Sequence, residues 1–114
     1  MVLACDVPLT ARQLKRVIRR CSVGIARLGS YIGHGSGEVF LGFSTANVLS
    51  AGAGEIQQIS CVREDRLDLL FRAAGEATEE AILNSMVCAS EVHTGDGKTV
   101  RSLRDFLQEK EKNI

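Results

Sequence analysis

Ser36 and Glu38 stand two residues apart, just ahead of a run rich in β-prone side chains over residues 38–44. In an extended segment, side chains at i and i+2 project to the same side, so this spacing brings a hydroxyl and a carboxylate together. A carboxylate entering a buried strand is costly unless it is hydrogen-bonded. From spacing alone the favoured reading is a Glu38 at an exposed strand end and a Ser36 that belongs to a turn, since a Ser-x-Glu triplet is common. Other groups are weaker candidates. His34 beside Gly35 and Ser36 has the type of a general base for a serine, but a loop histidine is more often merely solvated, which is the favoured reading here. Glu79 and Glu80 are adjacent on an expected helix, about 100° apart, and cannot converge on one substrate bond. Asp96 between Gly95 and Gly97 reads as turn chemistry. Cys5, Cys21, Cys61 and Cys88 form no Cys-x-x-Cys pair, and neither His34 nor His93 stands at metal-ligand spacing from them. Buried free thiols, with no metal and no cofactor, are expected.

The elements that must position these groups follow from the hydrophobic pattern. Residues 1–4 are a short apolar run that fits the end of a buried strand. Thr10 and Gln13 read as a capping box opening one helix, with Leu14, Val17, Ile18, Cys21, Ile25 and Leu28 along its apolar stripe and Gly29 as its stop. Its other side carries Arg12, Lys15, Arg16, Arg19 and Arg20, expected to be solvated or paired with acids. Glycines 29, 33, 35 and 37 mark a loop or a closely approached strand, matching neither a Walker loop nor a dinucleotide fingerprint. In the strand over residues 38–44, Val39, Leu41 and Phe43 share one face and Glu38, Phe40 and Gly42 the other. Both faces are largely apolar, which predicts a central strand covered on both sides. Residues 44–47 end it, and residues 56–62 are a further candidate strand. A long helix is expected over residues 65–89, burying Leu67, Leu70, Phe71, Ala74, Thr78, Ala81, Ile82, Ser85 and Ala89. A turn at residues 94–97 and a last short helix capped by Ser102 and Asp105 follow, with a fraying tail over residues 108–114.

Composition bounds the class. The 114 residues are 45% hydrophobic and 25% charged, with 14 basic and 14 acidic side chains, the balance of an ordinary globular domain or part-domain spanning residues 1–114 and not of a disordered chain. Residues 28–54 carry few charges, but Glu38 and scattered polar residues deny them the ~20 consecutive apolar residues of a membrane span. The N-terminus lacks the basic and long apolar regions of a signal peptide, so a cytoplasmic protein without membrane contact is expected. Nucleic-acid binding is not expected either, since the net charge is zero and Tyr31 is the only aromatic near the basic helix face.

Several segments together carry a resemblance. Asp6-Val7-Pro8-Leu9, Gln13-Leu14-Lys15-Arg16, Gly24-Ile25-Ala26-Arg27, Gly35-Ser36-Gly37-Glu38-Val39-Phe40-Leu41, Phe43-Ser44-Thr45-Ala46-Asn47, Ala77-Thr78-Glu79-Glu80-Ala81-Ile82-Leu83-Asn84 and Thr94-Gly95-Asp96-Gly97 occur in this order. The chain thereby closely resembles the carboxy-terminal part of the β-peptidyl aminopeptidases, also called the L-aminopeptidase/D-amidase-esterase group. The resemblance spans nearly the whole chain but only the last third of such an enzyme. It implies an α+β fold, an αββα sandwich of two sheets between helix layers, of which this chain is the β-chain part. It also implies a precursor that cuts itself into α and β chains, leaving a serine at the new N-terminus as the nucleophile, with its own α-amino group as base. Ser36 and Glu38 match the serine and glutamate that orient that nucleophile. The nucleophile itself aligns about three residues before Met1.

The expected function is therefore that of the β-chain of an aminopeptidase acting on short peptides or amides. It would need the α chain of the same precursor as partner, form a homo-oligomer, require no metal or cofactor and be inactive as the 114-residue chain alone. The rival expectation is a truncated, non-catalytic homologue that serves as a subunit or scaffold. A smaller departure from the family pattern is the turn over residues 94–97, one residue short.

Overall fold

The computed structural model describes residues 1–52 and 54–112, which form a mixed α/β structure. The chain divides into two compact units, Met1–Thr78 and Glu79–Ile114. In the first, β1 (Val2–Cys5) runs parallel to β2 (Leu41–Ser44), with Val2 opposite Leu41, Leu3 opposite Gly42, Ala4 opposite Phe43 and Cys5 opposite Ser44. Parallel strands require a crossover, and α1 (Ala11–Ile18) and α2 (Cys21–Arg27) supply it. The expected capping box opens α1: the Thr10 hydroxyl accepts from the Gln13 amide at 3.2 Å, and the Gln13 side chain accepts from the Thr10 amide at 3.0 Å.

The one helix expected over residues 10–28 is two. Its hydrogen-bond ladder breaks where side chains take the carbonyls. The Arg20 guanidinium donates to the Arg16 carbonyl at 3.1 Å and the Ser22 hydroxyl to the Arg19 carbonyl at 2.6 Å. The amides of Arg20 and Val23 turn instead to Val17 and Arg20, three residues back. The stripe survives the break, since Val17 and Cys21 are both buried. Gly29, at φ 95°, stops α2 as expected, its amide bonded to the Ala26 carbonyl.

Leu9, Val17, Cys21, Leu67 and Ala74 form the core, with Leu3, Cys5, Leu14, Phe40, Leu70 and Phe71 packed around it. Gly42 sets how near α1 approaches β2. A Cβ built there would lie 2.4 Å from Cγ2 of Ile18, a methyl on a branched side chain that cannot swing away freely. Gly42→Ala is therefore expected to cost about 1–3 kcal/mol, read as a lower urea midpoint at unchanged slope.

The strand over residues 38–44 is not covered on both sides. Phe40 and Gly42 face α1, whereas Val39, Leu41 and Phe43 are 74%, 61% and 50% exposed. In β1, Val2 is exposed on the same side, so this two-stranded sheet has one bare apolar face. Nor do residues 56–62 form a strand. Their backbone bonds elsewhere, Ser60 donating to and accepting from the Asn47 side chain at 2.9 Å and the Val62 amide reaching the Pro8 carbonyl. Residues 64–66 make a 3₁₀ turn that leads into α3 (Leu67–Cys88). Leu67, Ala74, Gly75 and Thr78 are buried as the stripe requires, but Ala81, Ser85 and Ala89 are exposed.

The basic face of α1 is paired in part, while Lys15 and Arg19 are exposed. Arg12 and Arg16 both bond Glu64, and the guanidinium carbons of Arg16 and Arg20 lie 5.3 and 4.0 Å from the centre of the Phe71 ring. All four cysteines are free. Cys21 is buried and Cys5 partly so, but Cys61, in the loop before the 3₁₀ turn, and Cys88, at the end of α3, are exposed, contrary to expectation.

In the second unit, β3 (Val92–His93) pairs antiparallel with β4 (Thr99–Val100) around the expected turn, closed by Gly97 at φ 81°. The Asp96 carboxyl is held below its ordinary range by the Lys98 ammonium and the Thr94 hydroxyl. α4 (Leu103–Lys112) is capped by Ser102, whose hydroxyl accepts from the Asp105 amide at 3.1 Å. That hydroxyl also donates to the Asp105 carboxylate and lowers its pKa. The expected fraying does not extend to residues 108–112, which are helical, and residues 113–114 lie outside the described residues. Among the described residues no helix is long and apolar enough to cross a membrane.

Candidate functional site

Strand pairing reaches one step beyond β1 and β2. The Leu41 amide donates to the Met1 carbonyl at 3.0 Å, and the Met1 α-amino group donates to the Val39 carbonyl at 2.8 Å. Glu38 immediately precedes this last contact, so it stands at the mouth of the strand pair. It is half-buried, as are Phe40, Gly42 and Ser44, while the residues between them are exposed. This alternation is that of an extended segment with Glu38 on the α1 side. Its carboxylate has no hydrogen bond or ion pair with any described residue.

Ser36 is exposed and closes a turn, its amide donating to the Gly33 carbonyl at 2.9 Å. The turn reading of Ser36 thus holds for its backbone, while its side chain makes no bond within the described residues. Between the two lies Gly37, where a Cβ would meet nothing within 4 Å. The space beside Gly37 is open. His34 sits in the same turn, exposed and without a hydrogen bond to Ser36, so the two form no serine–histidine pair. Glu79 and Glu80 are consecutive on α3, and Asp96 is engaged in its turn by the Thr94 hydroxyl and the Lys98 ammonium. No group of three or more His, Cys, Asp or Glu side chains suited to a metal exists among the described residues.

Spacing alone did not point to the loop leading into this site. Tyr31 is 90% exposed, and Ile32 has φ 54°, a left-handed backbone that is rare for a β-branched residue. The four glycines were the only signal that this loop is unusual.

A strand mouth bearing a serine and an acid is the setting in which the family relationship becomes informative. Residues 1–100 match Peptidase family S58, and the chain belongs to that family. It is 41% identical over 105 residues to the beta-peptidyl aminopeptidase BapA of Sphingosinicella microcystinivorans, covering 90% of this chain and 26% of that protein. It is also 41% identical over 98 residues to the BapA of Sphingosinicella xenopeptidilytica, covering 83% of this chain and 24% of that protein. The chain thus spans about a quarter of the length of these relatives.

Among solved structures, a protein of Pyrococcus horikoshii OT3 superposes with a TM-score of 0.82 at 37% identity, over 95% of this chain and 31% of that one. The L-aminopeptidase D-Ala-esterase/amidase of Ochrobactrum anthropi, described as a prototype of the serine aminopeptidases and a variant of the Ntn hydrolase fold, gives 0.77 at 31% identity, over 96% of this chain and 33% of that one. The Burkholderia sp. beta-aminopeptidase gives 0.76 at 34% identity, over 94% and 34%.

Proposed function

We propose that this chain is the β-chain-like portion of a serine-type aminopeptidase that hydrolyses N-terminal residues of short peptides or amides. The observation that carries the reading is the parallel register. Val2 faces Leu41 and Leu3 faces Gly42. Continued backward from Met1, the same register brings a residue about three positions upstream opposite Gly37, between Ser36 and Glu38. That is the position the family resemblance gives to the nucleophilic serine.

The mechanism follows from those groups. The α-amino group of the upstream serine, with an ordinary pKa of about 8, takes the hydroxyl proton as Oγ attacks the substrate carbonyl. The same proton passes to the departing amine as the scissile C–N bond breaks, leaving an acyl ester. Water, deprotonated by the α-amine, hydrolyses the ester. Ser36 and Glu38 act as positioning residues on the α-amine, the hydroxyl accepting from it and the carboxylate holding its ammonium form in place. The register puts the serine side chain on the face of Gly37, Val39 and Leu41, opposite Glu38, so it is the main-chain α-amine, between the strands, on which the carboxylate acts.

The bare sheet face of Val2, Val39, Leu41 and Phe43 supports a layered αββα arrangement in which a second sheet from the remaining polypeptide covers it. In this reading the partner is the α chain of a self-cleaving precursor, the assembly is a homo-oligomer in the cytoplasm, and no cofactor takes part. The test compares the 114-residue chain with a polypeptide that includes the preceding segment. Amide hydrolysis by the longer form alone is the expected result. Hydrolysis by the 114-residue chain would overturn the assignment of the nucleophile, and inactivity of both forms would favour the non-catalytic scaffold.

A further inference from the structure

We propose that the loop over residues 29–36 is a substrate subsite in which Tyr31 receives a neutral, apolar side chain next to the scissile amide; this rests on the aminopeptidase reading above. The loop encloses an open depression of about 320 Å³ lined by Ser30, Tyr31, Ile32, His34, Ser36 and the intervening glycines, within the size range of small-ligand sites. No carboxylate, lysine or arginine lines it, so it favours a neutral occupant over a charged one.

Its shape is held in place rather than loose. The Ser30 hydroxyl accepts from the Ile32 amide at 3.3 Å, Ile32 keeps its left-handed φ of 54°, and the Ser36 amide closes onto Gly33. Backbone strain of this kind recurs at ligand clamps. The Tyr31 ring lies across Gly33, where a Cβ would come within 2.9 Å of the ring edge, so the absence of a side chain at Gly33 gives the ring its seat. The ring is otherwise bare at 90% exposure, offering an apolar surface with a polar tip. Ser36 belongs both to this depression and to the strand mouth. A substrate whose carbonyl is presented there therefore lays its neighbouring side chain along the loop.

Tyr31 is the only tyrosine and the chain has no tryptophan, so its emission reports the loop directly, without catalysis. Titration with leucinamide is expected to change that emission saturably, with half-saturation at least about fivefold lower than for glycinamide. Gly33→Ala, which displaces the ring, is expected to weaken leucinamide binding by a similar factor. In the longer, serine-bearing polypeptide, Tyr31→Ala is expected to raise KM for leucyl p-nitroanilide about tenfold, leaving kcat within about twofold and glycyl p-nitroanilide unaffected. An emission that does not distinguish leucinamide from glycinamide, or an equal loss on both anilides, would overturn the subsite. Failure of the aminopeptidase reading is separately visible. In that case leucinamide still perturbs Tyr31, but hydrolysis does not depend on Ser36 or Glu38.

Discussion

In a polypeptide that carries the segment preceding Met1, Glu38→Gln is expected to lower kcat/KM by about 10²–10³, and Ser36→Ala by about 10–10². The ordering comes from charge. A hydrogen bond to an ionised group is worth about 1.5–3 kcal/mol, so loss of the Ser36 hydroxyl removes one or two factors of ten. In the proposed mechanism, loss of the Glu38 charge removes both a bond and the attraction that keeps the α-ammonium in position. Glu38 faces no competing cation among the described residues, so its charge is available to that group. A readout that mere structural damage would not reproduce is the pH profile. A neighbouring carboxylate favours the ammonium and raises the amine pKa, and removing the charge lowers it again. The acid limb of kcat/KM should therefore move to lower pH in Glu38→Gln, by about one pH unit. Both residues are at least partly solvent-exposed, so thermal stability should stay nearly unchanged. A drop in activity with the acid limb unmoved would argue against Glu38 acting on the amine.

The second large effect is one of stability and centres on Gln13. Its side chain is 2% exposed. It accepts from the Thr10 amide at 3.0 Å and donates to the Val62 carbonyl at 2.9 Å and to Glu64 at 3.1 Å. It thereby fastens the start of α1 to the segment that leads into α3. Gln13→Leu has similar volume but leaves the Thr10 amide and the Val62 carbonyl without these partners, at an expected cost of about 2–4 kcal/mol. Glu64→Gln is the instructive control. Glu64 bonds both Arg12 and Arg16, yet Arg12 is 72% exposed and Glu64 47%, so the substitution should cost about 1 kcal/mol or less. Urea unfolding followed by far-ultraviolet circular dichroism gives both values. A larger loss for Glu64→Gln than for Gln13→Leu would contradict this account of what ties α1 down.

What the sequence made legible was local. Thr10 with Gln13 and Ser102 with Asp105 are capping pairs within one turn, and both appear in the structure with their partners. The stripe through Val17 and Cys21 and the stop at Gly29 are likewise short-range. The break between α1 and α2 was not legible, because hydrophobic periodicity says nothing about an arginine and a serine taking main-chain carbonyls. The run over residues 56–62 has strand-like composition, but its main chain is engaged by Asn47 and Pro8, contacts that no propensity encodes. Apolar residues on both faces of residues 38–44 suggested burial on both sides, although these residues supply cover for only one. The site divides in the same way. The i, i+2 spacing of Ser36 and Glu38 could be read directly, but its meaning depends on the pairing of β1 with β2, a contact between distant parts of the chain.

The central claim, that Ser36 and Glu38 serve a nucleophile other than themselves, is tested most directly by covalent labelling. The longer polypeptide would be treated with an aryl sulfonyl fluoride, which sulfonylates an activated serine with loss of fluoride, and the modified residue mapped by tandem mass spectrometry. The account predicts a single label on a serine about three residues before Met1, forming more slowly in Ser36→Ala and Glu38→Gln. A label on Ser36 itself, or on Ser22 or Ser30, would contradict it.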